Sequence, residues 1–173
     1  MNASKLHFDP CIAEIIPPGR GVLICAPQTP LHEVAERMRD AAVSSIMVTE
    51  DGCPVGIWTE HDALGIDLGS PGVHDRPVAE VMSSPVQGIA ADAHLTDAAH
   101  RFRDQHIRHL LVTDPVSEAP LGIISLTDVV LNQGIEHYLH FRTVGTLVGH
   151  DSVRADESEP LSRVAARMRE ARV

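Results

Sequence analysis

The sequence predicts an α+β fold in which one short unit is used twice. Three observations carry that prediction. A pattern of residues recurs about one third of the way further along the chain. Within each copy the apolar spacing changes from helical to strand-like. The apolar side chains, 43% of 173 residues, are almost wholly aliphatic, the aromatics being Phe8, Trp58, Phe102, Tyr138 and Phe141. A chain of this length suits one domain or two small lobes.

The first helix of the unit is read from Leu31-x-x-Val34-Ala35-x-x-Met38, which recurs 64 residues later as Leu95-x-x-Ala98-Ala99-x-x-Phe102. Apolar residues at that spacing predict an amphipathic helix over about 31–42, with Pro30 in its first helical position and Thr29 as N-cap. The next segment keeps the register: Val43–Thr49 matches Ile107–Thr113 and predicts a short strand over about 45–49. Glu50-Asp51-Gly52 is a turn signal, after which Pro54–Trp58 supplies a second strand. Gly56-Ile57-Trp58-Thr59-Glu60-His61-Asp62 then matches Gly122-Ile123-Ile124-Ser125-Leu126-Thr127-Asp128 at a spacing of 66. The two added residues fall in the loop 114–120, where a duplicated fold tolerates a length change. A further helix opens at Thr59 and runs to about Leu64. Each unit is preceded by a short extended lead-in, Val22–Ala26 or Val86–Ala90.

A third copy begins with Leu161-x-x-Val164-Ala165-x-x-Met168, led by Pro160. Its strands do not follow within the sequence, so the expectation is a natural protein longer than this chain. The alternative is a terminal helix that docks on its neighbours as a cap. The resulting division is 1–75, 76–140 and 141–173.

Charge excludes one class of partner. With 14 Lys and Arg against 24 Asp and Glu the net charge is −10, the opposite of what a phosphate backbone requires. Few aromatics remain to stack on single-stranded bases. The 11 histidines would bring the charge to +1 if all were protonated, which bears on solubility near pH 6.5. Cys11, Cys25 and Cys53 are odd in number and widely spaced, suggesting neither a disulfide framework nor a zinc knuckle. No signal sequence and no membrane span is evident, so a cytoplasmic protein is expected.

The order helix, strand, strand, helix, ending in Gly-x-x-Thr/Ser-x-x-Asp, resembles the cystathionine-beta-synthase (CBS) domain. Two motifs in register make the resemblance specific over about residues 20–135, with the opening of a third domain from about 144. It implies tandem CBS domains related by a pseudo-two-fold, each a small, mostly antiparallel sheet packed against two helices. Such a pair, a Bateman module, is a non-catalytic regulatory unit that binds adenosine compounds such as AMP, ADP, ATP or S-adenosylmethionine between its lobes. A homodimer, and an attached effector or signalling domain, are also implied.

By position, the resemblance makes Asp62 and Asp128 the ribose ligands and Thr59 and Ser125 the phosphate ligands. An ionised carboxylate accepts charge-assisted bonds from vicinal hydroxyls, and backbone N–H groups at a helix start suit a phosphate. Ile24 and Ala26, with Gly88 and Ile89, would line the base pocket, largely through backbone groups. Arg108 and His109 resemble a basic pair before the buried strand, and His61 takes a position often basic in relatives. The family's usual proline in that strand is replaced by Met47 and Leu111.

Other readings stand beside this one. Thr-x-x-Asp and Ser-x-x-Asp are also N-capping boxes that need no ligand. The pair would then be a dimerisation scaffold. His137-x-x-His140 places two imidazoles on one helical face, but no Cys or carboxylate pattern completes a metal site. Cys25 and Cys53 could serve a redox regulator, or be buried small apolar groups. No nucleophile elbow, P-loop or HExxH motif is present, and no enzyme is expected.

Overall fold

The protein is described by a computed structural model for residues 9–16, 21–67, 69–132 and 153–171. In chain order its helices and strands are α1 (Ile12–Ile15), β1 (Ile24–Cys25), α2 (Leu31–Ala41), β2 (Ser45–Glu50), β3 (Cys53–Thr59) and α3 (Glu60–Leu64). These are followed by β4 (Gly88–Ala90), α4 (Leu95–Gln105), β5 (His109–Thr113), β6 (Pro120–Ser125), α5 (Leu126–Asn132) and α6 (Leu161–Ala171). Two three-stranded sheets result, in the orders β1-β2-β3 and β4-β5-β6. In each, the lead-in strand runs parallel to the middle strand, and the longer pairing is an antiparallel hairpin.

Local chemistry explains the elements of the first unit, built on β1-β2-β3. Helix α2 buries Leu31, Val34 and Met38, the residues its spacing put on one face. It stops at Ala42, which turns left-handed at φ 51° and donates its N–H to the last carbonyls. Asp51 and Gly52 both have positive φ, the geometry of a two-residue hairpin turn matched to strand twist. The core gathers Leu31, Val34 and Met38 with Ile46, Val48, Trp58, Cys25 and Val78. One detail differs from expectation. Pro30 is the N-cap and not the first helical residue, and the Thr29 side chain bonds to Cys25 instead of capping α2.

The second unit, on β4-β5-β6, repeats this plan with Leu95, Ala98 and Phe102 inward from α4 and Leu110, Val112 and Ile124 from the sheet. Its longer hairpin loop closes around Asp114, whose carboxylate accepts from the backbone N–H of Ser117 and of Val116 and from the Ser117 hydroxyl. Those donors hold the carboxyl below its usual range.

A further repeated segment locks each sheet to its helix. Asp9-x-x-Ile12-Ala13-Glu14-Ile15-Ile16 matches Asp75-x-x-Val78-Ala79-Glu80-Val81-Met82, and the two make equivalent bonds. Ile12 donates its N–H to Ala93 O at 2.9 Å, as Val78 does to Thr29 O at 2.9 Å. Leu95 donates to Pro10 O, and Leu31 to Arg76 O, both at 3.0 Å. Each segment therefore precedes one repeat in sequence but packs on the other. Ile12, fully buried, belongs to the core of the second unit, and Val78, also fully buried, to that of the first. Among the described residues, packing accordingly gathers 9–16 and 21–22 with 87–132, and 23–67 and 69–86 with 153–171. The division at 75 and 140 follows the order of the repeats, and the N-terminal lead-in it assigned to the first unit packs in the second.

These straps also explain the glycine of the repeated motif. A Cβ on Gly56 would lie 2.2 Å from Met82 Sδ, and one on Gly122 3.1 Å from Ile16 Cγ2. The strap side chain rests directly on the glycine. The lead-in strands are guarded differently: Arg37 donates to Ile24 O at 3.4 Å, and Arg101, 64 residues later, donates to Gly88 O. A guanidinium on the free edge blunts it against further pairing. Helix α6 forms as the third copy predicts and lies against α3. None of its residues is buried; Leu161 is 85% exposed, where Leu31 is 4% exposed.

Two outcomes are expected. Ile12→Ala should cost about 2–5 kcal/mol of stability in the second unit, read by faster hydrogen exchange at the Leu111 and Val112 amides. The fluorescence of Trp58, the single tryptophan, should report little change in the first unit. Burial pushes the Cys25 thiol up, while Cys53 is exposed. At pH 8 Cys25 therefore carries less thiolate, and a thiol-reactive disulfide should label Cys53 in the native protein but Cys25 only on unfolding. Equal labelling rates would support a redox role for Cys25.

Candidate functional site

Both Gly-x-x-Thr/Ser-x-x-Asp motifs lie where the last strand of a sheet turns into a helix. At the first corner Thr59 ends β3 in extended conformation and caps α3. Asp62 Oδ2 accepts the Thr59 N–H at 2.8 Å and its hydroxyl at 2.7 Å, and the Asp62 N–H returns to Thr59 Oγ1 at 3.2 Å. The second corner repeats the set: Asp128 Oδ2 accepts the Ser125 N–H at 2.8 Å and hydroxyl at 2.6 Å, with 3.2 Å for the return bond. The capping reading of these residues is thus realised at both corners. Thr59 is buried, whereas Asp62, Ser125 and Asp128 keep partial exposure.

The corners are tied to the preceding strand by main-chain bonds, Glu60 N–H to Ser44 O at 3.1 Å and Leu126 N–H to Arg108 O at 2.9 Å. Register places Ser45 opposite Thr59 and His109 opposite Ser125. The structure therefore brings Arg108 and His109 to the second corner, where the first has Ser44 and Ser45. Arg108 is exposed and His109 partly so. His61 is exposed on α3, beside Asp62 in sequence. Each corner thus has a basic group, but on different elements.

The expected base-pocket residues divide by side-chain direction. Ile89 pairs with Val112, and its side chain is in the core, 3% exposed, so only its backbone remains to meet a ligand. Ile24 pairs with Met47 and is 53% exposed. Gly88 occupies the equivalent place against Leu111, and Ala26 is exposed. Met47 and Leu111, which replace the usual proline, are both buried.

Two features of these sites were not read from the sequence. The carbonyls of Ile24 and Gly88 already carry the Arg37 and Arg101 guanidinium groups; the 64-residue shift that superposes those arginines was the available signal. Ser83 donates to Asp62 Oδ1 at 3.0 Å. Its separation of 21 residues from Asp62 gave no local pattern to find.

Among the described residues, no group of three or more His, Cys, Asp or Glu is gathered as a metal site. His137 and His140 lie outside the described residues. No helix among the described residues is long and apolar enough to cross a membrane.

Comparison with known proteins agrees with the repeat. The CBS domain family matches residues 12–69 and 78–133. An uncharacterized protein of Methanopyrus kandleri is 32% identical over 123 residues, which cover 69% of this chain and 60% of that protein. The CBS domain-containing protein YhcV of Bacillus subtilis is 29% identical over 112 residues, covering 65% of this chain and 79% of YhcV. Among solved structures, a CBS domain protein of Pyrobaculum aerophilum complexed with AMP shares the fold at TM-score 0.61 and 20% identity, with 77% of this chain and all of that one covered. A Methanocaldococcus jannaschii protein described as a putative archaeal homolog of g-AMPK reaches TM-score 0.72 at 16% identity, over 94% of this chain and 63% of that one. Two family matches in tandem, each containing a strand-to-helix corner of the same construction, place this chain in the CBS-domain family.

Proposed function

We propose that the chain is a non-catalytic regulatory module that binds an adenosine-containing ligand at one or both corners and passes the change to an effector. The observation that carries this reading is the duplicated carboxylate–hydroxyl corner, with Asp62 and Thr59 in one copy and Asp128 and Ser125 in the other. A carboxylate already held by internal donors is oriented in advance for the vicinal hydroxyls of a ribose. The AMP-bound relative supports an adenine nucleotide as the class to test first. Arg108 and His109 favour a phosphate at the second corner, and His61 at the first.

Ligand action would be linkage: binding stabilises one arrangement and biases whatever is attached to it. Apolar residues left on α5, with Val130 52% and Leu131 67% exposed, support a homodimer formed through helices. A ligand-free scaffold is the second reading, favoured by the completed capping boxes.

A thermal-shift panel of AMP, ADP, ATP and S-adenosylmethionine separates the two. A ligand at 100 times its Kd should add about 2.7 kcal/mol, or roughly 5–11 °C. The double variant Asp62→Asn, Asp128→Asn should lose that shift. An intact dimer with no shift for any of the four would favour the scaffold. Arg108→Ala should weaken AMP at the second corner roughly tenfold while leaving adenosine unchanged, measured by calorimetry, because only AMP offers a phosphate.

A further inference from the structure

Both oxygens of Asp62 are engaged before any ligand arrives. Oδ2 accepts the N–H and the hydroxyl of Thr59, and Oδ1 accepts the Ser83 hydroxyl. A carboxylate offers about four acceptor positions, so three bonds leave one. A ribose diol that binds through both hydroxyls needs two. One internal donor must therefore yield, and the three differ in how firmly they are held. Thr59 is 8% exposed and its two bonds complete the helix cap. Ser83 is exposed and lies near the end of the 23–86 stretch of the first unit.

Ser83 also holds that segment to the sheet. Its N–H donates to Ile57 O at 2.9 Å, and its carbonyl accepts the Ile57 N–H at 3.0 Å, on the edge of β3 that β2 does not use. Ser84 donates its hydroxyl to Val55 O at 2.8 Å. Resting on the nucleotide reading above, we propose that a ribose diol at the first corner displaces the Ser83 hydroxyl from Asp62 and so loosens residues 83–84 from β3. Ser83 is then a positioning residue that reports occupation of Asp62 to the connection leading into the second unit. Met82 and Ile16 are equivalent on Gly56 and Gly122; in the sequence Ser83 follows Met82, whereas Pro17, which has no hydroxyl, follows Ile16.

The test uses the Asp128→Asn protein, so that only the first corner is read. AMP, ADP, ATP and S-adenosylmethionine are titrated by calorimetry, with hydrogen exchange followed at the Ile57 and Ser83 amides. A binding ligand should speed exchange at both amides. Ser83→Ala should bind that ligand roughly 2- to 10-fold more tightly, since no donor has to be displaced. It should also exchange fast at Ile57 before ligand is added, and Ser83→Thr should restore the original behaviour. Binding that Asp62→Asn abolishes, but that leaves both amides as protected as before, overturns this proposal and leaves the nucleotide reading intact. Weaker binding by Ser83→Ala does the same. If none of the four compounds binds, the nucleotide reading fails and this proposal with it.

Discussion

Each unit turns on one carboxylate. Asp62 and Asp128 reach back three residues to accept the N–H and hydroxyl of the residue that ends a strand, and the chain leaves that strand as a helix. The bond set fixes the direction of α3 and of α5, and it also fixes where two acceptor oxygens sit at the surface. On the proposed function, structure and recognition compete for the same atoms. A ligand at such a corner meets groups already oriented, which lowers the cost of ordering them. It also meets groups already bonded, so its net gain is the difference between its own contacts and those it replaces. The short helix α3 makes the point sharper. With five residues α3 has little helical stability of its own, and its cap carries a large share of it.

Much of this was legible in the sequence because it is local. The spacing of Leu31, Val34 and Met38 gave α2, Asp51-Gly52 gave the hairpin turn, and Thr59 with Asp62 gave the corner. What escaped has partners far away. Ile12–Ile15 is a helix of four residues, too short for any period to show, and its bonds go to Ala91 and Ala93. The strap pairs one repeat with the other's segment, so a search for similarity between neighbouring elements passes over it. Pro30 was set one position too far in, because Pro is common at the first helical turn and the N-cap seat is its neighbour. Ser83 lacked any signal beyond its chemistry. At the base pocket, alternation along so short a strand as β4 could not say which of Gly88 and Ile89 faces inward.

Duplication has left the two units alike in backbone and unlike in detail. Where the second unit buries Ile124, the first buries Trp58, whose indole N–H has no hydrogen-bond partner among the described residues. An unpaired buried donor is a cost that the second unit avoids. Where the first corner is flanked by Ser44 and Ser45, the second has Arg108 and His109. The sheet edges differ too, with Ile24 half exposed in one and Gly88 in the other. Two corners of one construction thus differ in charge and in walls, and on the proposed function they would bind one ligand unequally.

The strap bears on synthesis as well as on packing. Asp9 bonds to Thr96, 87 residues further on, and at about 5–20 residues per second that partner is made roughly 4–17 s later. Until then Ile12, Ile15 and Ile16 have no completed sheet to cover them. The first sheet waits far less, since the strap it needs, Val78–Met82, follows Gly56 closely in the chain. The sheet β1-β2-β3 can join its strap while β4-β5-β6 is still being made. The strap at 9–16 is thus made well before the sheet it covers, and its apolar side chains wait longest for their partners.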